Sequence, residues 1–367
     1  MQKSNVNTAI QSRIIGFDVA RALAIFGMVF VNFKIAMNAT TGSDWLLQSV
    51  GLLEGRASAL FVVLAGIGIS LMTRRARASN DSELISQKRN SIIKRGLLLI
   101  AVGLAYSPIW PADILHFYGF YFLLAAFLFA RTNRALLLAA IFSMLGFVVL
   151  LMLFNYETGW NWETLDYLDF WTVEGMFRHI FFNGFHPVFP WFTFVVIGIW
   201  LGRLDFNNAD IRRRLMIFSF SLWAGVEILS KIIQPLMLQD LPQGVTIEDV
   251  GFLFGTGMMP PMPQYIIAVG SLAVFIITLC VSLTQGVKDK LAVTALYRTG
   301  QLALSLYLAH VVLGMGLLES IGRLENQSID FAAASALAFC LAGIVFSYFW
   351  VKYLGAGPFE RLFRKFV

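Results

Sequence analysis

GFDVARALAIFGMVFVNFK, Gly16 to Lys34, reads as an apolar helix with a charged pair, Asp18 and Arg21, just inside its start and Asn32 and Lys34 at its end. Its counterpart is EGRASALFVVLAGIGIS, Glu54 to Ser70, which re-enters the apolar phase behind Glu54-Gly55-Arg56 and is dense in small residues. A charge at the centre of a membrane helix costs roughly 2.5–3.5 kcal/mol on the insertion scale. Here the polar groups stand at span ends, where a ligand or a neighbouring helix can satisfy them. The small residues predict close packing of the second span on the first.

Working outward, the composition fixes the class. The chain is 58% hydrophobic and 14% charged, with mean hydropathy +0.71, whereas soluble domains carry about 25% charged residues. Apolar runs near twenty residues predict an all-α polytopic membrane protein, not an alternating β-barrel. Ten spans are expected, at 17–35, 57–73, 95–111, 113–130, 135–154, 187–203, 214–233, 263–284, 301–319 and 330–352. Of the 28 Lys and Arg residues, that count leaves only Lys34, Arg56, Arg178, Lys231 and Arg323 on the outer side. The others, from Lys3 through Arg74, Arg95, Arg203 and Lys288 to the tail, fall inside, so both termini are expected to be cytoplasmic. The net charge of +6 therefore reports topology, and no nucleic-acid partner is expected. The first span lacks a convincing small-residue cleavage site and reads as retained. Cys280 and Cys340 fall inside spans and predict free thiols.

One membrane domain, 1–367, accounts for the length, with two long outer segments, 155–186 and 234–264. The first is rich in Trp and Tyr. It suits either an interfacial aromatic belt or a lid whose five carboxylates, against one arginine, would attract a cationic acceptor. The second ends in Met258-Met259-Pro260-Pro261-Met262-Pro263, which cannot be helix interior. Ser107 to Ala112 reads as a tight outer turn.

Histidines carry the candidate chemistry. Asp113 and His116 lie three apart on one helix face, fit for a carboxylate–imidazole pair serving as general base, or equally for a cap with a buried hydrogen bond. His186, before Pro187 and Trp191, stands at an outer mouth. His310 falls near mid-membrane, where a polar ring is a functional candidate by default. His179 reads as a lid-surface residue. No histidine or cysteine pair has metal-ligand spacing, so no metal is expected. Arg74, Arg95 and Arg203 gather on the inner side, either as orientation signal or as a clamp for a phosphorylated donor.

The stretches Arg13–Asn32, Glu54–Arg56, Asp113–Gly119, Gly300–Leu308 and the tail Phe346–Phe366, with Gly357-Pro358-Phe359-Glu360-Arg361, resemble the bacterial YeiB-like membrane proteins. Phe189-Pro190-Trp191, Gly198–Arg203 and Pro260–Pro263 are similar to bacterial relatives of heparan-alpha-glucosaminide N-acetyltransferase. Both groups sit in the transmembrane acyltransferase superfamily. The resemblance implies transfer of an acyl group, acetyl in the characterised relative, from cytosolic acetyl-CoA or another acyl-CoA to an amino-sugar, other glycan or small-molecule acceptor on the outer side. It also implies a multi-pass protein of the bacterial cytoplasmic (inner) membrane, with the lipid bilayer as partner and room for a homodimer. Asn32 matches an asparagine that serves catalysis in that relative. The catalytic histidine of the following outer loop has no counterpart, since 33–53 holds none. His310 matches a histidine after a Gly-x-x-x-Leu/Ile-x-x-Tyr pattern.

Acyl transfer needs a base, donors for the tetrahedral oxyanion and exclusion of water. The expected roles are Asn32, with Arg56, as oxyanion donors and His116, held by Asp113, as base, with His310 nearby. Glu54, His186, Trp191 and Tyr307 are expected to line the acceptor site, and Arg74, Arg95 and Arg203 the acyl-CoA site. These groups are expected to converge on one chamber. A permease using the same cavity is the other function class. Asp18 and Arg21 are expected to form an internal ion pair.

Overall fold

The structure is a computed structural model that describes residues 13–79, 81–241, 244–287 and 289–366. Lys3 and Lys288, two of the expected inner charges, lie outside the described residues. The long helices are α1 (Ile15–Ala36), α2 (Arg56–Met72), α3 (Ser82–Tyr106), α4 (Leu115–Leu128), α5 (Asn133–Leu153), α6 (Val188–Leu201), α7 (Ala209–Gln239) and α8 (Pro263–Leu283). They continue with α9 (Leu291–Gln301), α10 (Ala303–Ala309, running on through a π-helical turn at His310–Met315), α11 (Ile329–Tyr353) and a tail helix α12 (Pro358–Phe366).

The fold is that of an all-α polytopic membrane protein. Among the described residues, seven helices are long and apolar enough to cross a bilayer, or eight if the pair Val173–Asn183 and Val188–Leu201, bent by 49°, counts as one. The remaining two expected spans are less regular. That at 95–111 is the apolar half of α3, whose other half is charged, and that at 113–130 is the 14-residue α4. The two pack as a hairpin, because Gly103 lets the start of α4 lie against α3; a methyl there would overlap the backbone of His116.

Of the seven helices long enough to span alone, α1, α2 and α8 are the most buried, and α6 is buried along most of its length, while α5, α7 and α11 turn most of their apolar surface outward, as lipid-facing helices do. The small residues of α2 serve two neighbours. Ala57 meets Gly27 of α1, as the sequence suggests, but Gly66 faces Gly198 of α6, each backbone occupying the space a methyl on the other would need. Close helix approach through small residues is the usual packing device where water supplies no hydrophobic drive. At the other end, Gly300 in α9 seats on the Asp18 carbonyl, which pins the start of α1.

The outer segment 155–186 is a folded cap. It holds a short antiparallel pair, β1 (Trp160–Asn161) and β2 (Asp166–Tyr167), then a helical turn Val173–Arg178 and a π-turn His179–Asn183. Asn183 buckles it: its amide donates to the carbonyls of Tyr156 and Thr158, both at 2.8 Å, and its oxygen accepts from the Tyr167 hydroxyl at 2.7 Å. Arg178 pairs with Asp169 at 2.5 Å and Glu174 at 3.5 Å, so the cap is less acidic than its composition suggests. His179, expected on the surface, is 2% exposed. The π-turn tucks its ring among Phe117, Tyr167 and Phe170.

Candidate functional site

A cavity of about 460 Å³, the outer one in the topology expected from the sequence, lies at the ends of α1 and α2 against the segments 155–186 and 255–262. α1 contributes Asn32 and Lys34, and Asn38 follows its end; the turn into α2 contributes Glu54 and Gly55, and the first turn of α2 Ser58. The cap adds Leu165, Phe185 and His186, and the irregular 255–262 segment adds Met258 and Met259. Lys34 and Glu54 pair across it at 2.6 Å.

Asn32 makes the decisive contact. Its Nδ2 lies 2.9 Å from Nε2 of His310, which is fully buried. The other ring nitrogen, Nδ1, faces the Tyr307 carbonyl, an acceptor only, so Nδ1 carries the proton. Nε2 must then accept, and Asn32 must donate to it. The imidazole thus fixes the amide, leaving a second N–H and the carbonyl of Asn32 for the cavity.

Asp113 and His116 sit one layer behind. Asp113 Oδ2 accepts the N–H groups of Leu115 and His116 at 2.9 and 3.2 Å, capping α4, and also meets His116 Nδ1 at 3.1 Å. Its Oδ1 accepts the Tyr307 hydroxyl at 3.1 Å, and that hydroxyl accepts the Ile114 N–H. Cap and carboxylate–imidazole pair, separate readings in the sequence, coexist. All three side chains are buried. Nε2 of His116 has no partner among the described residues, and the ring stacks against His179 at 5.8 Å.

Not all of the expected site residues meet. Asn32 and His310 touch, and Glu54 and His186 share the cavity with Asn32. His116, Asp113 and Tyr307 form a linked buried network that does not line the cavity. Trp191 is buried under His186, ring centroids 4.6 Å apart. Arg56 is drawn away to Glu227 of α7 at 3.2 Å, a carboxylate that also accepts from Thr256. That pairing follows from α7 packing beside the bundle, which no local pattern announces.

Three further cavities adjoin one another at the opposite end. The first, about 390 Å³, is lined by Arg13, Asp18, Arg21, Gly68 and Arg74; the second, about 200 Å³, by Arg21, Phe61, Gly68, Arg95 and Tyr118. The third, about 460 Å³, is lined by Arg74, Arg77 and Arg203. All three expected donor-side arginines, Arg74, Arg95 and Arg203, are therefore at this end. Arg77, part of the same basic cluster in the sequence, lines the third cavity, and Arg13 and Arg21, not expected at the donor site, line the first. Asp18 is held by Arg21 at 2.5 Å and Arg13 at 2.7 Å, the ion pair expected from the sequence with a second arginine added. Burial, then the charges of Arg203 and Arg74, pull Arg77 down to about 10, and burial also lowers Arg203. Cations crowded in this way are stabilised by an anion. Phe61 of the second cavity and Ser58 of the outer one lie three residues apart on α2, a rise of about 4.5 Å. Among the described residues, no three His, Cys, Asp or Glu side chains gather as a metal site.

Known proteins are similar in sequence to this chain. The family model for the heparan-alpha-glucosaminide N-acetyltransferase catalytic region matches residues 13–232, and that for a protein family of unknown function, DUF418, matches 255–367. The uncharacterized protein YxaH of Bacillus subtilis (strain 168) is 21% identical, over 97% of this chain and 94% of its own length. Asn32 lies in the first matched region and His310 in the second, so their hydrogen bond joins the two. The first match covers more than half of the chain, with the lining of the arginine-lined cavities and all of the outer cavity's lining but Met258 and Met259, and on that ground the protein belongs to the heparan-alpha-glucosaminide N-acetyltransferase catalytic family, with a YeiB-like C-terminal part.

Proposed function

We propose that the protein transfers an acyl group, acetyl in the first instance, from acyl-CoA held at the arginine-lined end to an amino-sugar or related acceptor in the outer cavity. The observation that carries this reading is the Asn32–His310 pair, an oriented amide donor on the wall of a cavity whose Ser58 stands about one helical turn from Phe61 of an arginine-lined pocket. Arg74, Arg77, Arg95 and Arg203 suit the donor's phosphates, since guanidinium groups grip phosphate oxygens in a planar fork. The end carrying them would face the cytoplasm of a bacterial inner membrane, with both termini on that side.

In this mechanism the acceptor N–H or O–H attacks the thioester carbonyl as its proton passes to a base. The tetrahedral oxyanion is stabilised by the free N–H of Asn32. The C–S bond then breaks, and the thiolate leaves and takes up the proton. His310 acts through Asn32, since its Nε2 already accepts the amide proton. His186 is the imidazole that lines the outer cavity, which makes it the better base than the recessed His116. The departure from the relative's outer-loop histidine is thereby compensated from α10 and the cap.

Proteoliposomes of the purified full chain test this with acetyl-CoA on one face and glucosamine on the other. Formation of N-acetylglucosamine with release of free thiol, lost when Arg74 and Arg203 are both changed to Gln, is expected. Acceptor flux without any acetyl-CoA consumption would overturn the reading in favour of a permease.

A further inference from the structure

A groove of about 380 Å³ runs along the outer face of the bundle between α5 and α6, apart from the cavities above. Leu136, only 1% exposed, belongs to its floor, and Leu137, Ile197 and Trp200 line it as well. Along α5, Asn133, Arg134 and Leu137 share one helix face, and along α6 so do Ile197 and Trp200. The polar residues of the lining, Asn133 and Arg134, both stand at the start of α5.

We infer that this groove is a binding site for an anionic phospholipid, with an acyl chain along the apolar floor and the headgroup phosphate at Arg134 and Arg131. Arg131 and Arg134 are exposed and enter no ion pair among the described residues. The groove lining contains no carboxylate, so a second copy seated here by two-fold symmetry would bring arginine towards arginine. A zwitterionic lipid would bring its own cation beside the phosphate and leave the net charge of the two arginines uncompensated. Trp200, 36% exposed at the end of α6, suits the headgroup level, where indole rings concentrate. Basic pockets between membrane helices are recurrent headgroup sites. Arg203 gives the site its rigidity: its guanidinium donates to Asn133 Oδ1 at 2.7 Å and to the carbonyls of Phe129 and Arg131 at 3.1 and 2.8 Å. Arg203 lines the third inner cavity and Asn133 the groove, so their hydrogen bond links the groove to the proposed donor pocket. The inference does not depend on acyl chemistry.

The test is native mass spectrometry of the detergent-solubilised full chain, titrated with phosphatidylglycerol and with phosphatidylcholine of the same acyl chains. The wild type is expected to retain one phosphatidylglycerol in preference to phosphatidylcholine, by about five-fold for each arginine engaged. Arg131→Gln with Arg134→Gln should abolish the preference while leaving a weak equal retention of both lipids. Leu137→Trp, on the exposed wall, should fill the groove and lower retention of both. Equal retention of the two lipids by the wild type would overturn the proposal, as would a preference that survives the arginine changes. So would a dimer whose dissociation these substitutions drive.

Discussion

Replacing Asn32 probes the site where its geometry is most constrained. Asn32→Ala removes an N–H aimed at the cavity and the N–H that His310 Nε2 accepts. Loss of one oxyanion donor is worth about 2.7–4 kcal/mol, or about 10²–10³ in kcat. The orphaned, fully buried Nε2 should cost a further ~1–3 kcal/mol of stability. Asn32→Asp is the sharper variant, because it preserves size and shape but can only accept. With the proton of His310 committed to the Tyr307 carbonyl, the carboxylate faces a lone pair and has no donor for the oxyanion. It should therefore lose as much activity as Asn32→Ala. The assay is acetyl-CoA-dependent acetylation of glucosamine in proteoliposomes, with thermal unfolding in detergent run alongside. If Asn32→Asp keeps more than about half the wild-type rate, the amide is not a donor to the reacting carbonyl and the tautomer argument fails.

Four further substitutions separate packing from chemistry. Gly66→Ala puts a methyl into the Val195 carbonyl on α6 and should cost about 1–3 kcal/mol, seen as a lower unfolding midpoint. Gly68→Ala, with open space around it, should change the midpoint little and serves as the control. Arg56→Ala breaks the pair with Glu227, both side chains 20% exposed; solvent screening limits the loss to about 1 kcal/mol, and turnover should stay within about three-fold because Arg56 does not line the cavity. A hundred-fold fall in kcat for that variant would restore Arg56 to the reaction. Glu360→Gln weakens the cap that α12 places on the start of α10, where Glu360 accepts the N–H groups of Leu304 and Ser305 and the Ser305 hydroxyl. A loss of about 0.5–2 kcal/mol is expected, read as faster proteolysis of the tail.

How far the site was legible varies by residue. Asn32 stood out because an amide closing an apolar span is costly unless used. His310 stood out for its depth in the membrane. That the two meet was not visible, since 278 residues separate them and only the packing of α1 against the π-turn brings them together. Arg56 and Lys34 both read as charges at span ends, and only Arg56 was expected in the site. The structure sends one to Glu227 and the other to Glu54, and nothing within either helix distinguishes them. His179 was misread because an outer segment rich in acids suggests a solvated surface, whereas the π-turn rotates that ring inward.

The sequence alone determined the class and the outline: apolar runs of near-bilayer length, interrupted where charge is tolerable, allow only an all-α polytopic protein, because backbone groups in lipid must bond within their own helix. It also located the arginines at one end and the aromatic cap at the other. Tertiary structure decided which polar groups share a chamber and which satisfy one another elsewhere. That choice depends on close approaches such as Gly66 to Gly198 and Gly103 to His116, which set helix separations and rotations to within a fraction of a side chain. A one-dimensional pattern specifies which face of a helix is apolar; it does not specify which neighbour that face will meet.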